Sequence, residues 1–404
     1  MNSPVKELQN ATIFRLLRSA YANVSSFAFS ALCLCASVVL FISSATAQDI
    51  PERDAGELLL GELGCINCHQ PTDELAERFQ QRVGPDLTHV SNRLRPAYVQ
   101  TFIANPSLHH PGTLMPSLMH GLDDAERSRR AEALTHYLFA REVAAIPNAG
   151  QQGSVDAGRE LYHAVGCVAC HQPEDGFDPF GDEVDDEFGA EIERPDILTP
   201  SVPLRHLGPK YRAGALADFL LHTLETRPAG RMPQFTLTET EAMDLAAYLQ
   251  RDAHPTHDDF TPDQALVDQG RELFTTQGCT ACHKLEDKDL ARITLNARPL
   301  KQLVNANSEG CISEHPLAGM PHYVVTEAQR QAMQRGIARL NEPLEFGATE
   351  RLHRKLLSLN CTACHVRDDH GGPEPGREIF FRPTVEEDLG DEGRLPPTLT
   401  GVGY

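Results

Sequence analysis

The chain has 404 residues, with 36 Lys and Arg against 57 Asp and Glu, for a formal net charge of −21. That balance excludes nucleic acid and anionic lipid as natural partners, because both need positive patches. An acidic surface of this kind suits a basic partner protein, or simply keeps the chain soluble.

From the N-terminus, Lys6, Arg15 and Arg18 precede an apolar stretch from Phe27 to Ile42, and Ala45-Thr46-Ala47 supplies a small-x-small site before Gln48. The pattern predicts a signal peptide over residues 1–47 and export of the remainder. The rival reading is an uncleaved membrane anchor. The apolar stretch is shorter than the roughly 20 residues that a spanning helix prefers. Cys33 and Cys35 leave with this segment.

Four copies of one pattern follow: Cys65-Ile66-Asn67-Cys68-His69, Cys167-Val168-Ala169-Cys170-His171, Cys279-Thr280-Ala281-Cys282-His283 and Cys361-Thr362-Ala363-Cys364-His365. Cys-x-x-Cys-His is the attachment pattern of a c-type haem: two thiols bond to the porphyrin side arms and the His reaches the iron. Structural zinc would bring a second ligand pair within about 12–20 residues. These motifs start 102, 112 and 82 residues apart. A thioredoxin-like dithiol has no use for four such His. Of the 11 cysteines only Cys311 is then left over, as a buried apolar residue or a partner for a cysteine elsewhere.

The surroundings of the motifs also repeat. Gly158-Arg159-Glu160-Leu161-Tyr162 and Gly270-Arg271-Glu272-Leu273-Phe274 stand nine residues before their first haem Cys, with Gly166 and Gly278 immediately before it. Gly56 and Gly64 hold the same two places in the first unit. Each stretch predicts a helix stopped by a left-handed glycine. Downstream, Met115-Pro116 lies 28 residues beyond Leu87 of Gly84-Pro85-Asp86-Leu87, and Met232-Pro233 lies 28 beyond Leu204 of Val202-Pro203-Leu204. Amphipathic helices are predicted next, over 123–140, 238–250 and, after Gly319-Met320-Pro321, 326–340. Within and beside them, Met119, Met243 and Met333 read as packing residues. Between the second motif and its Met, Glu174–Glu193 holds ten carboxylates and reads as a solvated insertion.

With these pieces in order the chain resembles the class I, mitochondrial-type, cytochromes c, repeated in tandem. The wording of the last unit, Asp388-Leu389-Gly390-Asp391-Glu392-Gly393-Arg394-Leu395-Pro396-Pro397, is similar to multihaem cytochromes of planctomycete-type bacteria. The resemblance implies a mainly α protein of small cytochrome c domains, each a few helices wrapped around a covalent haem. It implies a Gly-Pro-x-Leu carbonyl on the proximal His and a methionine as second iron ligand. Carried over by position, His69 pairs with Met115, His171 with Met232, and His283 with Met320; His315 and His322 are rivals for the last. The third unit lacks a recognisable Gly-Pro-x-Leu. The fourth, with His365, has no later methionine, and reads as cut short unless His353 or His370 serves it.

The expected organisation is a signal peptide at 1–47, then cytochrome c domains at 48–146, 154–253 and 262–345, and a shortened one at 346–404. The expected cofactors are four covalent haems c with their irons, and the expected role is electron transfer between redox partner proteins. The alternatives are a haem peroxidase or reductase with an open iron in the third unit, the cytochrome part of a larger dehydrogenase, or a gas sensor.

Overall fold

The computed structural model describes residues 52–141, 146, 152–179, 196–197, 199–253, 259–288, 290, 297–305, 310–343, 346–381 and 396–403. Residues 1–47, expected as a signal peptide, and most of the acidic stretch 174–193 lie outside these residues. The fold is mainly helical. Among the described residues one hairpin pairs β1, Val366–Arg367, with β2, His370–Gly371.

The principal helices are α1 Glu52–Glu62, α2 Pro96–Ala104, α3 Asp124–Phe139, α4 Val155–Ala164, α5 Ala215–Leu221, α6 Glu239–Leu249, α7 Gln264–Thr276, α8 Glu327–Ala338 and α9 Ala348–Ser358. Their starts follow from local chemistry. Asp123, Ser154 and Asp263 accept backbone N–H bonds in the first turns of α3, α4 and α7. Thr238 with Glu241, and Thr326 with Gln329, form reciprocal capping boxes on α6 and α8. The segments that lead into the motifs stop at left-handed residues: Gly64 at φ 67°, Gly166 at 94°, Gly278 at 76° and Asn360 at 62°. Glycine takes that conformation without penalty, and Asn is the commonest substitute.

Three buried cores organise the chain from Ile50 onward, which forms one compact unit. The first joins Leu60, Ile66 and Phe79 to Leu300, Met333 and Ile337. A second joins Val90, Val99, Met119, Leu134 and Tyr137 to Val267, Phe274 and Leu285. The third is built from Tyr162, Val168, Leu207, Phe219, Leu245 and Tyr248, with Phe380 added from the C-terminal segment. Helix packing agrees: α1 lies on α8, α7 on α3, and α4 on α6.

The cores do not follow chain order: the third is built mostly within residues 162–248, whereas the first and second each join residues of 59–139 to residues of 260–340. The chain starts one core with α1, builds half of a second, builds most of the third, returns to finish the second and then the first, and finally adds Phe380 to the third. The helix crossings show why the exchange is compatible with the repeat. A Cβ on Gly56 would overlap the backbone oxygen of Ala332, one on Gly158 that of Asp244, and one on Gly270 that of Ala133. Each leading helix presents the same glycine notch, so two closing helices of like pattern satisfy the local requirement equally. The choice between them rests on the whole buried surface.

Buried arginines join these cores. Glu57 of α1 holds both Arg78 and Arg354, the latter at 3.2 Å from α9. Arg82 pairs with Glu62 at 2.7 Å and donates to the carbonyls of Ala229 and Ser358. Arg377, 1% exposed, donates to Val168 O, to His171 O at 2.7 Å and to Ser201 Oγ at 2.7 Å. Among the described residues no helix is long and apolar enough to cross a membrane.

Candidate functional site

Each motif folds as a single helical turn begun by its left-handed residue. The His N–H donates to the carbonyl of the first Cys, at 2.9 Å for His69 and His283 and 3.0 Å for His171 and His365. That turn places both thiols and the imidazole on one side.

Every motif His is oriented by a backbone carbonyl. The Nδ1–H donates to Arg298 O from His69 at 2.7 Å, to Val202 O from His171 at 3.0 Å, to Pro85 O from His283 at 2.9 Å and to Pro397 O from His365 at 2.8 Å. A proton held at Nδ1 leaves the Nε2 lone pair for a metal. The accepting residue stands two before a leucine in all four cases: Leu300, Leu204, Leu87 and Leu399. The expectation that Gly84-Pro85-Asp86-Leu87 serves His69 is therefore corrected; it serves His283. His69 takes the carbonyl from Arg298-Pro299-Leu300, which the sequence reading misses. Its signal was available, since Val202-Pro203-Leu204 has the same order.

All eight motif thiols and all four motif His line one continuous cavity of about 2570 Å³, and so do Met115, Met232 and Met320. His315 and Cys311 also reach it. His322 has another setting: its carbonyl accepts from Ser117 N at 2.9 Å, and its ring lies 4.5 Å from that of His120. His353 and His370 pair with each other at 5.7 Å between ring centroids. Met119 and Met333 are fully buried in the second and first cores, and Met243 packs against the third.

The residues present fit a covalent haem. The lining is mostly apolar, the thiols are paired, and each Nε2 is free of the carbonyl that holds the other ring nitrogen. Burial pushes the thiols of Cys65, Cys167 and Cys279 up to about 12, so each is a neutral thiol, unlike the lowered thiolates of redox dithiol sites. Among the described residues no group of three or more His, Cys, Asp or Glu is arranged to hold a metal ion by itself. Cationic groups at the cavity suit carboxylate side arms. Buried Arg93 and Lys210, and half-buried Arg227, have no carboxylate at ion-pair distance among the described residues. Burial, then Arg227 and Arg93, lowers the Lys210 ammonium well below its usual range.

Residues 155–251 match the family model for cytochrome c. They form a cytochrome c domain. This domain implies covalently bound haem c with its iron. The chain is also 37% identical, over 62 residues, to the CcoP subunits of cbb3-type cytochrome c oxidases from Helicobacter pylori strain ATCC 700392 / 26695 and strain 52. Those stretches cover 15% of this chain and 21% and 20% of the two subunits. The match thus spans about a fifth of each relative. No solved structure matches the chain.

Proposed function

We propose that the chain is an exported multihaem c-type cytochrome that passes electrons through four covalently attached haems. One observation carries this reading: the thiols and His of all four motifs converge on a single cavity. The same local geometry in residues 155–251 belongs to a cytochrome c domain. Haem c supplies a one-electron iron couple. This chain fixes each imidazole by a backbone carbonyl, walls the site from water with apolar side chains, and brings methionines to the cavity. His and methionine together would close an iron to substrate and raise its potential relative to other ligation. That arrangement favours electron transfer over catalysis.

The surplus of carboxylates favours a basic redox partner, whose docking weakens as salt screens the attraction. Export is supported by the signal-like residues 1–47, and sequencing of the mature N-terminus checks it by finding Gln48 first. The main test is a haem count on denatured protein, where thioether-linked haem stays with the chain. Four haems per chain are expected; fewer would remove motifs from the proposal.

A second reading applies to the last site. Met115, Met232 and Met320 belong to segments built into the three cores, while Met119, Met243 and Met333 pack within them or against them. Among the described residues no cavity methionine is left for His365, so an iron there is the one to test for open coordination, with peroxidase-like or gas-binding chemistry. Carbon monoxide binding to the reduced protein separates the readings, since a closed iron does not take it up.

A further inference from the structure

We infer that the iron ligands of the first and third motifs are exchanged: Met320 completes the site begun by His69, and Met115 the site begun by His283. The inference rests on the multihaem reading and goes beyond it, because linear order pairs these residues the other way.

The continuous cytochrome c domain supplies the rule. There, one segment provides Val202 O to His171, then Met232, then α6, which crosses the helix leading into the motif. Val202 N also bonds to Cys170 O at 2.8 Å. Carbonyl, methionine and closing helix thus arrive together on one stretch of chain.

Residues 84–139 make these attachments to the third motif. Gly84 N donates to Cys282 O at 2.8 Å, Leu87 N to Lys284 O at 2.9 Å, and Pro85 O receives the His283 Nδ1–H. Gly84 lies so close that a Cβ there would overlap the His283 ring. Ile103 and Met119, which flank Met115 in sequence, share a core with Cys279, and α3 closes on α7.

Residues 298–338 do the same for the first motif. Arg298 O holds His69, and Leu300 N donates to Gln70 O at 3.1 Å. Ile312 and Val325, on either side of Met320, share a core with Cys65. Tyr323 donates its hydroxyl to Leu63 O at 3.1 Å, beside the turn that opens the motif, and α8 closes on α1. The two methionine loops also bond to each other, through Ser117 and His322 at 2.9 Å in both directions, so the sites stand side by side.

The test uses the exported holoprotein and asks which haem loses its ligand. In a chain without the first haem (Cys65→Ala with Cys68→Ala), adding Met115→Ala is expected to create one further iron that binds carbon monoxide. In a chain without the third haem (Cys279→Ala with Cys282→Ala), adding Met115→Ala is expected to create none. The reverse pattern overturns the exchange. Should those chains fail to accumulate, the reduced four-haem protein with labelled methionine methyl groups answers the same question by magnetic resonance. The methyl signal lost in Met115→Ala is expected to contact the haem whose thioether protons neighbour Cys279. Contact with the Cys65 haem would overturn the exchange and leave the multihaem reading standing. Absence of covalent haem from either motif would overturn both.

Discussion

The side-chain amide of Asn360 donates to Sγ of Cys170 at 3.4 Å, across 190 residues of chain. Asn67, inside the first motif, makes the same contact to Sγ of Cys282 at 3.4 Å. The attachment sulfurs of the second and fourth motifs are thus neighbours, and so are those of the first and third. The backbone thus brings the motifs together two by two, and under the proposed function this would set haems held there close enough to exchange electrons.

Asn360 has a second task, because it holds the left-handed turn at φ 62° that glycine holds before the other motifs. Asn360→Ala is expected to lower stability by about 1–2 kcal/mol, the cost of forcing a Cβ residue without a local polar group into that region. Asn360→Gly keeps the turn and is expected to be close to neutral. Chemical denaturation of the holoprotein compares the two. Equal losses would assign the effect to the sulfur contact instead.

Gly270→Ala tests the exchanged helix pair. Alanine is favoured over glycine by about 1 kcal/mol in a helix interior. Here its Cβ would overlap the Ala133 backbone oxygen, which belongs to α3 and has no side-chain freedom to yield. Net destabilisation of about 1–3 kcal/mol is expected from the overpacking. The denaturant midpoint measures it, and an unchanged or raised midpoint would contradict the α3–α7 crossing.

Glu57 is 3% exposed and is the carboxylate shared by Arg78 and Arg354. Glu57→Ala leaves two buried guanidinium groups without this partner, and a loss of about 3–5 kcal/mol is expected. Because Arg354 lies on α9, the variant is also expected to loosen the last motif from the first core. Faster proteolysis after α9 would show this.

His110 and His206 stack edge to face, 4.4 Å between centroids. Burial first, and then Lys210, lowers His110 to about 4 and His206 to about 3, from the ordinary 6.5. Both rings are neutral when folded, so the unfolded chain takes up protons first as pH falls. Stability is expected to be flat above about pH 6.5 and to decline from there towards pH 4. His110→Asn should flatten part of that decline in denaturation curves taken from pH 8 to 4.5; an unaltered slope would exclude His110 as a source.

The amino-acid sequence by itself determined every locally encoded feature. The four Cys-x-x-Cys-His turns, the left-handed Gly64, Gly166 and Gly278, and the capped closing helices could all be read from residues a few positions apart. The helix expected over 123–140 spans Asp124–Phe139, and the one over 238–250 spans Glu239–Leu249. Caps, glycines and apolar periodicity act within a turn or two of chain, so they remain legible without a fold. Tertiary structure alone decided which repeats complete one another. Gly56 can receive any closing helix of the right pattern, and both Asp124–Phe139 and Glu327–Ala338 have that pattern. The choice of Ala332 for Gly56 and Ala133 for Gly270 depends on burying Leu300 and Met333 with Leu60, and Leu134 with Phe274, at the same time. Such contacts join residues more than a hundred positions apart, and no short-range signal records them.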